Sequence, residues 1–176
     1  MARLIHLNGA PGAGKSTVAE RYVAEHPGVL NCDIDRLPCL VGGWADDFDR
    51  VGQVVQPVAL AMIRAHLDGG HDVVLPQMLA NPERRATFRA AATDAGHDYV
   101  HLLLQAQPGE AAARFYGRPD DDRLHAVIRG VVDAAGGDDV IEGFDRRLTE
   151  TAADAVVVDA SQDPETVYQA VLAATR

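Results

Sequence analysis

Gly9-Ala10-Pro11-Gly12-Ala13-Gly14-Lys15-Ser16, followed by Thr17, constrains this chain more than any other stretch. It satisfies G-x-x-x-x-G-K-[ST] at every fixed position. In that pattern glycines let successive backbone N–H groups curl around phosphate oxygens at a helix N-terminus. Lys15 is then expected to neutralise the β- and γ-phosphates, and the Ser16 hydroxyl to serve as a ligand for Mg²⁺. The motif requires a strand before it and a helix after it. Residues 3–7 form a short apolar strand ending at Asn8-Gly9, and a helix is predicted over about 16–25, so the context is met.

The rest of the chain alternates in the same way. Strands are predicted at 29–32, 72–75, 99–104 and 155–158. Val51, Val54, Val55, Val58, Met62 and Ile63 recur at helical spacing, and Gly69-Gly70 supplies the stop. Asn81-Pro82 reads as an N-cap and first helical residue, and Gly96 ends that helix. Further helices are expected over 108–116, from Leu124 through Val132, over 140–148, and after Asp163-Pro164. Strands alternating with helices imply an α/β fold of three layers, with a five-stranded parallel sheet flanked by helices. Ligands of such sheets bind beyond the carboxyl ends of the strands. At 176 residues one domain, 1–176, is expected, with a small helical lid over about 114–136.

Composition limits the partners. A net charge of -10 disfavours nucleic acid, whose affinity rests on neutralised phosphates. The adjacent basic pairs, Arg84-Arg85 and Arg146-Arg147, are expected on solvated helix faces. No apolar run approaches the ~18 residues of a membrane span, and the N-terminus leaves no room for a cleavable signal, so a cytoplasmic protein is expected. Cys32 and Cys39 are expected to be reduced. Monomer and homodimer both stay open.

Two acids, Asp33 and Asp35, follow the second strand. A hydroxyl acceptor needs a carboxylate to orient it and take its proton, which favours Asp35 as base and Asp33 near Mg²⁺, with the reverse assignment open. Arg114, Arg118 and Arg123 surround the polar flap 117–123, where closure would bring a guanidinium onto a transferring phosphoryl group; Arg118 and Arg114 are the favoured candidates. The strand 72–75 ends in Pro76-Gln77 where many phosphate-loop ATPases place an acid for magnesium. That omission weighs against a motor or AAA-type reading and leaves Asp33 to replace the missing acid. Gln77 is a candidate for the acceptor site, as is Trp44, which could equally be a core aromatic. The seven histidines show no metal-ligand spacing, and His6 and His101 read as structural groups within strands.

The loop 9–17, Asp33-x-Asp35, the arginine-bearing flap and the run Asp159-Ala160-Ser161-Gln162-Asp163-Pro164 together resemble the small phosphate-loop kinases, a group that includes nucleoside monophosphate, shikimate and gluconate kinases. Ile34-Asp35-Arg36-Leu37 is similar to the acid-bearing turn of chloramphenicol phosphotransferase, which implies Asp35 as base with Arg36 at the substrate. Leu75-Pro76-Gln77-Met78 with Asn81-Pro82-Glu83 looks like tunicamycin-resistance proteins of the same superfamily. The resemblance also implies adenine contacts from Ala160, Ser161 and Gln162. The expected function is transfer of the γ-phosphoryl of Mg-ATP to a hydroxyl of a small molecule such as an antibiotic. A nucleotide or sugar-acid kinase and a non-catalytic nucleotide sensor or ligand-sequestering resistance protein are the alternatives.

Overall fold

The computed structural model describes residues 1–119 and 122–176; Asp120 and Asp121 of the expected flap lie outside the described residues. Five strands, β1 (Arg3–Asn8), β2 (Leu30–Asn31), β3 (Val73–Leu75), β4 (Asp98–Gln105) and β5 (Val156–Asp159), form one sheet in the order β2-β3-β1-β4-β5. Every pairing is parallel.

Alternation along β1 sends its side chains to two cores. Leu4 joins Val73, Leu75, Ile63 and Phe88 beneath α2 (Phe48–Asp68) and α3 (Pro82–Thr93). Ile5 and Leu7 join Val74, Leu102 and Leu104 beneath α1 (Lys15–Glu25) and α7 (Pro164–Ala174), where Tyr22 and Tyr168 close the layer. Each fully buried Leu or Ile stabilises such a layer by about 1.5–3 kcal/mol. A third apolar cluster joins Ala10 of the glycine-rich loop to α4 (Glu110–Tyr116), α5 (Arg123–Ala135) and α6 (Asp138–Thr151) through Phe115, Val132 and Ile141. These helices stand beside the loop that follows β1.

Helix starts are local. Asn81 Oδ1 accepts from Glu83 N at 2.8 Å and Arg84 N at 3.2 Å, with Pro82 in the first turn. Asp163 Oδ1 caps α7 in the same way, accepting from Glu165 N and Thr166 N, both at 3.1 Å. Gly70, at φ 83, is the left-handed residue after α2.

Three expectations change. Along α2 it is Val51, Val55, Ala59, Ile63 and Leu67 that are buried, while Val54 and Val58 face solvent. A short 3-10 helix, Ile34–Leu40, replaces the simple turn that carried Asp35. Arg85 is buried rather than solvated. Its guanidinium donates to the carbonyls of Leu79, at 2.9 Å, and Thr151, tying α3 to the end of α6. Both cysteines are free, Cys32 buried and Cys39 exposed. Among the described residues no helix is long and apolar enough to cross a membrane.

Candidate active site

The strand order β2-β3-β1 sets three neighbouring C-terminal ends side by side: the 3-10 helix with Asp35, the Pro76-Gln77 loop, and the glycine-rich loop. In that loop Gly9, Gly12 and Gly14 have φ of 150, 86 and 91°. At Gly12 an added Cβ would lie 1.9 Å from the Ala111 carbonyl oxygen, so the loop can press against α4 only without a side chain there. Gly14 caps α1, and Lys15 is its first residue. Lys15 Nζ donates to the Gly9 and Ala10 carbonyls at 2.8 and 2.9 Å, holding the loop curled. Burial lowers the Lys15 pKa to about 8; the Asp35 carboxylate opposes the shift, and the Arg118 charge adds to it.

Asn8, fully buried at the end of β1, fastens the loop to the neighbouring strand. Its Oδ1 accepts from Gly9 N and from Leu79 N, both at 3.0 Å. Two residues earlier, His6 Nε2 meets the Gln77 carbonyl oxygen at 2.8 Å, and His6 Nδ1 meets the Tyr99 hydroxyl at 2.7 Å. A carbonyl only accepts, so Nε2 carries the proton and the Tyr99 hydroxyl donates. His101 stacks on His6, with ring centroids 4.9 Å apart.

Gln77 Nε2 donates to Asp35 Oδ1 at 3.2 Å, so the amide lies beside the candidate base. A cleft of about 280 Å³ is lined at one end by Lys15, Ser16, Asp35, Gln77 and Arg118. Its other walls are largely apolar, with Phe48, Met78, Ile128 and Phe144, and also include Asp49 and His125. Asp33 supports this arrangement from behind. Its Oδ1 accepts from Asp35 N at 3.2 Å and its Oδ2 from Arg36 Nε at 3.3 Å. Burial, followed by the Asp35 charge, raises the Asp33 pKa.

The cleft does not gather every expected residue. Arg36 reaches away from it to Glu20, at 3.0 Å. Trp44 borders a shallow depression with Cys39, and Arg123 lies 5.5 Å over its ring; Phe48 provides the aromatic wall instead. Arg114 belongs to a second cavity, also about 280 Å³, on the other side of the glycine-rich loop. There it donates to the Ala160 carbonyl at 2.7 Å, close to Thr17, Gln162, Val167 and Tyr168. Ser161 turns inward on Asp159, with its Oγ 2.5 Å from Oδ1. Sequence reading missed His6 and Asn8 as supports of the site, although two polar residues alternating in a buried strand are a readable signal. Phe48, read with Trp44 in a region that could wall an acceptor pocket, does line the cleft, whereas Met78 and Phe144, on separate elements without shared spacing, were missed.

Among the described residues no group of three His, Cys, Asp or Glu could hold a metal. The hard oxygen of Ser16 in the cleft nevertheless fits Mg²⁺, which takes one or two protein oxygens and completes its shell with water and phosphate, while Asp33, the other expected metal residue, is not part of the cleft lining.

The tunicamycin resistance protein of Deinococcus radiodurans shares this fold, with a TM-score of 0.65 over 99% of this chain and 96% of that chain at 19% identity. A family model described as an AAA domain matches residues 4–135. The absent acid after β3 had weighed against an AAA-type reading, yet the matched span runs through that position as well as through the glycine-rich loop. With most of its length matched, the chain belongs to the AAA-domain family of phosphate-loop proteins.

Proposed function

We propose that this protein is a phosphotransferase that moves the γ-phosphoryl of Mg-ATP to a hydroxyl of a small molecule. The observation that carries this reading is the single cleft in which Asp35, held by Gln77, faces Lys15 of the phosphate loop. The nucleoside occupies the second cavity, its base between Arg114, Tyr168 and the Ala160-Ser161-Gln162 turn. Its phosphates pass over the loop into the cleft. Bound at Ser16, Mg²⁺ supplies charge neutralisation for the phosphate oxygens.

Asp35 orients the acceptor hydroxyl and takes its proton as the oxygen bonds to the γ-phosphorus. The bond from that phosphorus to the β-γ bridging oxygen breaks, and ADP leaves. Lys15 and Arg118 stabilise the charge that develops on the transferred group. Asp33, whose oxygens are engaged by Asp35 N and Arg36, orients Asp35 and sits near the metal. Residues 114–119 and 122–136, part of a single domain spanning 1–176, close as a lid, and the protein works in the cytoplasm. A natural-product acceptor is supported by the fold shared with a tunicamycin resistance protein.

The test is Asp35→Asn assayed with a mixed panel of hydroxyl compounds. ATP binding stays and transfer falls by about 10²–10⁴-fold. Undiminished transfer removes Asp35 as base. Acceptor binding without any consumption of ATP by the unaltered protein points to the sensor reading instead.

A further inference from the structure

Resting on that reading, we infer that the acceptor is an alcohol without an anionic group, built on an aromatic or alicyclic body, with a second O–H or N–H donor on the carbon beside the reacting hydroxyl. Three features of the cleft lead there.

The first is charge. The Lys and Arg residues among the described lining are Lys15 and Arg118. Lys15 is bonded within the phosphate loop, and Arg118, near enough for its charge to reach Lys15, is the guanidinium that the phosphotransferase reading assigns to the transferring phosphoryl group. Other arginines nearby are engaged elsewhere: Arg85 on the Leu79 and Thr151 carbonyls, Arg123 over Trp44. Asp35 and Asp49 also line the cleft. An acceptor bearing a phosphate or carboxylate would meet these acids without the guanidinium fork that such groups require.

The second is shape. Phe48, Met78, Ile128, Val131 and Phe144 supply apolar walls, interrupted by His125 and Asp49. Walls of this kind accept a ring or compact hydrocarbon body and leave polar recognition to a few placed groups.

The third is an unmet acceptor. Because the Gln77 NH₂ donates to Asp35, Gln77 Oε1 is the atom left over. That oxygen is buried and has no hydrogen-bond partner among the described residues. The amide is fixed from behind, since the Gln77 backbone carbonyl is held by His6. Asp35 and Gln77 Oε1 therefore present two acceptors side by side, matched to two adjacent donors on one molecule. A buried acceptor left unmet discriminates strongly against a ligand that lacks the matching donor.

The experiment uses 1-phenylethane-1,2-diol, with 2-phenylethanol as the probe lacking the second donor, and mandelate and AMP as anionic probes. Binding is titrated to the full chain saturated with Mg²⁺ and a non-hydrolysable ATP analogue, and turnover with ATP is read as the mass gain of one phosphoryl group. The diol is expected to bind about tenfold or more tighter than 2-phenylethanol, with mandelate and AMP weaker than both. Gln77→Met, which keeps the side-chain length and removes the amide, brings the diol to the level of 2-phenylethanol while ATP affinity is unchanged. Phe144→Ala weakens both neutral probes together. Tighter binding of mandelate or AMP, a diol preference that survives Gln77→Met, or no binding of any probe overturns the inference. Phosphorylation of AMP in preference to the diol overturns it while leaving phosphotransfer intact. Diol binding with the stated preference but no transfer upholds the ligand class and instead removes the phosphotransferase reading.

Discussion

His6 Nε2 donates to the backbone carbonyl of Gln77 at 2.8 Å, across the boundary between β1 and the loop after β3. Burial, reinforced by the neighbouring His101, lowers the His6 pKa to about 3. The imidazole is thus neutral wherever the protein is folded near neutral pH, and its fixed tautomer holds the loop that carries Gln77 toward Asp35.

That depressed pKa makes stability depend on acid. Below the ordinary histidine value of about 6.5 the unfolded chain takes up a proton that folded His6 refuses until about pH 3. The His6 contribution is complete above pH 6.5 and is lost as pH falls through that window. Urea unfolding at pH 7 and pH 4 should show His6→Gln losing about 3 kcal/mol less between the two than the unaltered protein. Equal losses would refute a buried neutral His6.

Lys15, with a pKa of about 8, couples nucleotide binding to pH in a different range. The protonated ammonium is the form that binds phosphate, so ATP affinity is full below pH 8 and weakens as pH rises through it, by up to about tenfold per unit. In Lys15→Arg the guanidinium stays charged. Calorimetric titration from pH 6.5 to 9.5 should show the limb in the unaltered protein and its absence in the variant.

Arg114 and Arg118 lie four residues apart yet face different cavities, Arg114 beside Ala160 and Arg118 in the cleft with Asp35. Steady-state kinetics should separate them. Arg114→Ala raises the ATP KM by about tenfold with kcat nearly unchanged, as for a lost ground-state contact. Arg118→Ala lowers kcat by about 10²-fold or more with little change in ATP affinity.

Gly12 and Gly14 share a left-handed backbone, at φ 86 and 91°, but differ in their surroundings. A Cβ at Gly12 meets the Ala111 carbonyl at 1.9 Å, whereas one at Gly14 meets nothing within 4 Å among the described residues. Gly14→Ala is expected to cost about 1–2 kcal/mol for the backbone alone. Gly12→Ala should cost at least about 2 kcal/mol more, because loop and α4 must separate. Thermal unfolding of the two variants, compared at one pH, checks the difference.

The sequence by itself determined the phosphate loop, the order of strands and helices, and the caps at Asn81 and Asp163. Each is written in neighbouring residues, where local hydrogen bonding and periodicity act. It also marked out Asp33, Asp35 and Gln77 one at a time. Only the tertiary structure decided that Gln77 and Asp35, 42 residues apart, share a hydrogen bond. It likewise turned Arg36 toward Glu20, placed Arg114 beside Ala160, and buried Arg85 although a charged pair on a helix reads as exposed. The reason is that sheet order places β3 between β2 and β1, and sequence spacing carries no record of which strands become neighbours. The apolar walls of the cleft follow the same rule. Phe48, Met78 and Phe144 come from three separate segments, and they become one surface only when the helices pack over the end of the sheet.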